Sequence, residues 1–227
     1  MPRFRSAAVA ALFTLLCTGC ATPQRIDGGA GNADALSVDR EVYADLIRGM
    51  LDEGQYYAAL AHIQQRQRTG GGDVELLRYF EGEARRGLGQ MPEAHALYAG
   101  LLKSKLAPQA YHGLGLLHAN VDIRRAVAYL QEAATRAPTD AEIRNDLGYA
   151  LMRAGAHDAA LAELATAAEL APGSDKARNN LMLLLMVRED EVGVRRFAQE
   201  AAMPPETVQR LRQQARTLMT SKGQPRS

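Results

Sequence analysis

Two cysteines, Cys17 and Cys20, are the only thiols in the 227-residue chain, and they stand as C-x-x-C in the stretch LLCTGCATPQ. That spacing serves a redox dithiol beside a βαβ pattern, or half of a zinc site when a second ligand pair follows. Neither context is present. In front of the pair lie Arg3, Arg5 and the apolar stretch Ala7 to Leu16, and Thr18 and Gly19 separate the two cysteines. A basic start, a short apolar segment and a small-residue end describe a secretory signal. The apolar stretch is shorter than the roughly 20 residues a membrane span needs. The pair therefore reads as an address rather than an active site.

The ending resembles the lipobox of bacterial lipoproteins, L-[AST]-[GA]-C. Thr18, Gly19 and Cys20 match it, whereas Cys17 stands where a leucine is expected and the leucine is shifted to Leu16. The resemblance implies lipidation of Cys20 on its sulfur as the new N-terminus. Several acyl chains anchor stably where one is marginal. Ala21, in a place where Asp favours the inner membrane, implies the periplasmic face of the outer membrane. A plain secretory signal is the other reading of the same residues. With Cys20 acylated and Cys17 removed, no thiol remains for a disulfide.

Other chemistry finds no support. The five histidines, His62, His95, His112, His118 and His157, form no H-E-x-x-H and no i, i+4 metal pair. Serine stands in no nucleophile-like turn, and no phosphate loop or paired carboxylates appear. The sequence therefore predicts no catalytic residue, no metal, no cofactor and no small-molecule substrate. Without residues 1–20 the chain holds 25 basic and 26 acidic residues, a balance unlike that of a nucleic-acid binder.

The elements that carry function must come from an internal repeat. Residues 141–174 read AEIRNDLGYALMRAGAHDAALAELATAAELAPGS. Arg144, Leu147, Gly148, Leu151, Ala160, Leu164 and Pro172 fall on the tetratricopeptide pattern of a 34-residue helix–turn–helix unit. Gly148 and Ala160 allow two helices to approach, Gly155 ends the first helix, and Pro172 stops the second. The unit before it carries Tyr111, Leu114, Gly115, His118, Ala126, Leu130, Ala133 and Pro138, with Asp122 as N-cap of its second helix. Gly82, Gly89, Ala94 and Tyr98 mark another, and Tyr43, Leu46, Gly54, Ala59 and Ile63 a first. Ala59, Ala94, Ala126 and Ala160 are spaced 35, 32 and 34. A fifth unit begins with DKARNNLMLLLMVRED, but its second helix lacks the alanine signature. Val208, Leu211, Ala215 and Leu218 share one face of a final helix.

The chain thus resembles the tetratricopeptide-repeat (TPR) proteins, which implies an all-α solenoid of about four to five repeats with a C-terminal capping helix. The expected organisation is a signal peptide at 1–19, lipid anchor and flexible linker at 20–36, solenoid and cap at 37–220, and a disordered tail at 221–227. In this family the first helices line a concave binding surface. The matching positions are Tyr79, Glu83, His112, Leu116, Asn145, Tyr149, Met152, Asn179, Leu183 and Met186. The Lys/Asn/Arg array that clamps acidic C-terminal tails is not reproduced. Asn145 and Asn179, one repeat apart, suit an extended peptide backbone and equally suit ordinary repeat positions. The all-round apolar run Leu181 to Val187 must be covered, by the last helix or by a partner. The basic tail, with Arg210, Arg212, Arg216, Lys222 and Arg226, reads as a solvated face or as a contact for acidic headgroups or a partner.

The segment NDLGYALMRAGAHDAALAELATAAELAPGSDKARNNLMLLLM and the closing PPETVQRLRQQARTL resemble the TPR lipoprotein of tight-adherence (Tad/Flp) pilus systems. That resemblance implies an outer-membrane assembly factor with a pilotin-like role for a secretin, acting by protein binding. Two alternatives stand beside it: service to a type IV pilus or type II secretion secretin, and an adaptor that holds peptidoglycan enzymes.

Overall fold

Glycines and alanines at fixed intervals decide how the chain packs. The structure, a computed structural model, describes residues 30–221, with side chains from 39 to 220. The expected signal segment, Cys20, most of the linker and the tail beyond Ser221 lie outside the described residues. Contacts divide the chain into Met1–Asp39 and Arg40–Ser227. Among the described residues there are eleven helices and no strand: α1 (Ala30–Asp52), α2 (Tyr56–Arg68), α3 (Val74–Gly87), α4 (Met91–Ala99), α5 (Ala107–His118), α6 (Ile123–Arg136), α7 (Ala141–Ala154), α8 (His157–Leu170), α9 (Asp175–Val187), α10 (Glu191–Glu200) and α11 (Pro205–Ser221). They form five hairpins, α1/α2 to α9/α10, and one closing helix, as the repeats predict. Helix α1 begins at Ala30, inside the 20–36 segment expected as linker, so regular structure starts earlier than the Gly/Ala-rich composition suggests.

Each of three successive hairpins is closed by a missing side chain. A Cβ placed on Gly82 would fall 2.7 Å from the Tyr98 ring, one on Gly115 would fall 2.5 Å from Leu130, and one on Gly148 2.6 Å from Leu164. Opposite them Ala94, Ala126 and Ala160 are fully buried. A small residue on each helix thus lets a large side chain of the second helix lie against the backbone of the first.

Polar caps fix where helices start. Asp73, Asp122, Asp140, Ser174 and Asp190 each accept backbone N–H groups at the starts of α3, α6, α7, α9 and α10. The turn inside three hairpins needs a left-handed residue, which Gly54, Gly89 and Gly155 supply at φ 72°, 73° and 88°. In the fifth hairpin the same place is held by Glu189 at φ 58°. Arg144 and Arg178 occupy the same position in consecutive repeats, and each donates to the carbonyl of a preceding proline, Pro138 and Pro172 respectively. These arginines tie each hairpin to the end of the one before.

The fifth hairpin moves its bulk from one helix to the other. Where the fourth hairpin has Gly148, Ala160 and Leu164, the fifth has Met182, Val194 and Ala198 at the matching repeat positions. The largest of the three side chains now sits on the first helix instead of the second. Helix α10 therefore packs less extensively on α9 than α8 does on α7, and α9 takes more of its cover from α11.

The apolar interior falls into three clusters. One joins Ala44, Ile47, Ile63, Leu77 and Phe80; the next joins Ala94, Tyr98, Leu101, Ala110, Leu114 and Leu117; the largest runs from Leu130 to Ala215.

Two substitutions test this account by urea unfolding. Gly148→Ala is expected to cost about 1–3 kcal/mol, because its Cβ meets Leu164 and the backbone behind it. Glu189→Gly is expected to stabilise the chain by about 0.5–1 kcal/mol, by relieving a left-handed glutamate.

Candidate functional site

The first helices α3, α5, α7 and α9 bring a series of polar groups onto one face. On α3 the Glu83 carboxylate accepts from the Tyr98 hydroxyl at 2.6 Å and from Arg86 Nη2 at 2.6 Å. Tyr98 reaches it from α4 because Gly82 and Gly113 leave room for its ring. Burial pushes the Tyr98 hydroxyl well above its usual range, and the Glu83 charge pushes it further. Tyr79 is raised for the same two reasons. Burial opposes the Arg86 charge, but Glu83 more than offsets it and holds the guanidinium above its ordinary value. The tyrosines stay neutral, and Glu83–Arg86 is an ion pair with a polar surround.

Further along, His112 on α5 lies 2.8 Å from Asp146 on α7, between Nε2 and Oδ2. An ionised carboxylate only accepts, so Nε2 carries the proton. Lys176 on α9 reaches the other oxygen of Asp146 at 2.8 Å. Asn145 Nδ2 also donates to Asp146, at 3.0 Å, and Asn145 Oδ1 accepts from Asn180 Nδ2 at 2.9 Å. Burial works against the Asp146 charge. The hydrogen bond from His112 and the Lys176 ammonium outweigh it and hold the carboxyl below its usual range. Three successive hairpins are thereby tied through one carboxylate.

The sequence-selected positions divide in two. Tyr79, Glu83, His112, Leu116, Tyr149 and Asn179 are half-buried on this face. Asn145, Met152, Leu183 and Met186 are not open groove residues, at 2%, 1%, 0% and 6% exposure. Both ends of the Asn145 amide are spent on Asp146 and Asn180, so it offers nothing to a peptide backbone. Met152, Leu183 and Met186 are sealed in the cluster that contains Leu211 and Ala215 of α11. The apolar run on α9 is therefore covered by the last helix.

Asp146, Lys176, Asn180, Arg86 and Tyr98 are not among the sequence-selected positions. A charge at one repeat interval from a histidine is the signal that could have found the first of them, since Asp146 follows His112 at that spacing. His118 is a packing residue, as its repeat position predicts. Its ring stacks on Tyr129 at 5.5 Å and meets His95 edge-on at 6.0 Å, and burial lowers its affinity for a proton. Among the described residues no group of His, Cys, Asp and Glu is placed to hold a metal ion. No described helix is long and apolar enough to cross a membrane.

Comparison with known proteins agrees with the fold. Residues 117–184 match the family described as tetratricopeptide repeat. A TPR repeat-containing protein of Pseudomonas aeruginosa is 35% identical over 219 residues, spanning 95% of this chain and 82% of that protein. A thermophilic TPR protein of Thermus thermophilus superposes with a TM-score of 0.61 at 16% identity, over 80% of this chain and 99% of the other. YrrB, a TPR protein with an unusual peptide-binding site, superposes at 0.50 and 18% identity, over 86% and 97%.

The Asp146 network gives a pH test. Its carboxyl is held below its unfolded value, so its stabilisation is complete above about pH 5 and fades as pH falls through the folded value. Asp146→Asn is expected to cost about 2 kcal/mol at neutral pH. In thermal melts taken from neutral to strongly acidic pH, the gap between the two proteins should close on the acid side.

Proposed function

The chain belongs to the tetratricopeptide-repeat proteins, and we propose, from its lipobox-like start and its resemblance to pilus lipoproteins, that it is an outer-membrane lipoprotein that helps assemble a pilus secretin. Stacked helical hairpins of this family build protein-interaction scaffolds, and no enzymatic family is indicated. The finer reading is a pilotin-like role in a tight-adherence (Tad/Flp) pilus system. It is supported by one combination: a lipobox ending at Cys20 and a repeat stack whose closing units resemble those of the pilus lipoproteins. In this reading the acyl chains hold the stack at the periplasmic face of the outer membrane. The polar face carrying Tyr79, Glu83 and His112 then meets a segment of the secretin. A fold neighbour with a peptide-binding site fits a ligand of that kind.

A cross-linked pull-down of the acylated protein from native membranes tests this, with Cys20→Ala as the unanchored control. Mass spectrometry should identify a secretin with the wild type, and its recovery should fall at least tenfold with Cys20→Ala. Recovery of peptidoglycan enzymes without any secretin would replace the pilotin reading with that of an adaptor.

A further inference from the structure

Helix α11 packs far more extensively on α9 than on α10. A repeat-like continuation would pack on both. Its apolar side is narrow: Leu211 and Ala215 are buried, and Val208 and Leu218 are half-buried against the same cluster. Those positions fall at i, i+3, i+7 and i+10, one stripe of a helix. The opposite side, with Gln209, Arg210, Gln213, Gln214 and Arg216, is exposed. Beyond the stripe, Arg212 donates through Nη1 and Nη2 to both carboxylate oxygens of Glu191 at 2.6 and 2.8 Å, on the surface.

The seat itself is informative. Leu183 and Met186 stand one repeat after Tyr149 and Met152, at the repeat positions expected to face a ligand. In the second hairpin the corresponding residues are Glu83 and Arg86. Helix α11 therefore occupies the binding-face register of the fifth hairpin. It is joined to α10 by a short connection, Ala201 to Pro204, in which Ala202 takes a left-handed φ of 46°.

We infer that α11 is an internal ligand, which an amphipathic partner helix displaces from α9. The partner helix presents apolar residues at the spacing of Val208, Leu211, Ala215 and Leu218, and a basic residue that reaches Glu191. Leu183 and Met186 form an apolar seat in which the unbranched methionine accommodates varied shapes. A tethered helix holds its seat through high effective concentration with modest intrinsic affinity. This inference rests on the first-helix face being the binding surface, and not on the identity of the secretin.

Two measurements on the mature full chain test it. In amide hydrogen exchange, residues 206–220 should exchange at least tenfold faster than residues 141–154, through local opening of α11. Equal rates in the two segments would overturn the inference. A fluorescent synthetic peptide of residues 204–221 should bind Leu211→Asp, whose own helix is unseated, at least tenfold more tightly than it binds the wild type or than a scrambled peptide binds the variant. Equal affinities would overturn it as well. If Leu211→Asp does not fold, Arg212→Glu takes its place, since it unseats α11 by setting a carboxylate against Glu191 and alters no buried residue. Neither readout involves a secretin, so failure here and failure of the pull-down are separate results.

Discussion

The distance between the two helices of a hairpin is the constraint on which the rest of this structure depends. Gly82, Gly115 and Gly148 have no Cβ, and Tyr98, Leu130 and Leu164 fill the space against the backbone. Tight hairpins then leave the outer faces of their first helices side by side. Only because those faces are adjacent can His112, Asp146 and Lys176, from three different hairpins, meet at hydrogen-bond distance. The polar network is thus a product of backbone packing, and its geometry is set by residues that carry no function of their own.

That network satisfies one charge from three elements of the chain. A single carboxylate, nine-tenths shielded from solvent, takes a histidine, a lysine and an asparagine. An unpaired carboxylate at such a depth is costly, so the three donors are needed together. At the other end, Glu83 is satisfied by Arg86 and Tyr98. Between these two polar centres the face is lined by Leu116 and flanked by Tyr79 and Tyr149, half-buried groups whose apolar surfaces remain partly accessible. A segment that lies on it meets fixed charges at both ends and aromatic surface beside them.

Much of this is legible in the sequence, and the boundary of legibility has physical causes. The interval between Ala59, Ala94, Ala126 and Ala160 encodes hairpin geometry directly, because close packing tolerates one residue size there. Capping by Asp122 and the left-handed Gly155 are equally readable, since both act through local backbone. Asp146 escapes such a reading because its partners come from neighbouring hairpins, and pairing across a whole repeat depends on how hairpins stack. Periodicity puts Leu183 and Met186 on an open face because it gives orientation and not occupancy. An apolar run states that something covers it without naming what. The fifth hairpin looks degenerate for a related reason: Met182, Val194 and Ala198 exchange which helix supplies the bulk, and a consensus pattern does not register the exchange.

The apolar interior is discontinuous. Tyr79 is the residue that packs on both of the first two clusters, and the second meets the third through the tilted rings of Tyr111 and Tyr129, 6.4 Å apart. Segments joined in series by such narrow links do not melt as one body; stability is a sum of unit and neighbour contributions. The C-terminal half holds the largest cluster and the carboxylate that binds three hairpins. The first two hairpins hold the least. Stress on residues 40–221 is therefore expected to open the first two hairpins, on the N-terminal side, before the repeat units of the largest cluster. A chain pulled from that side yields like a zip rather than snapping like a rod.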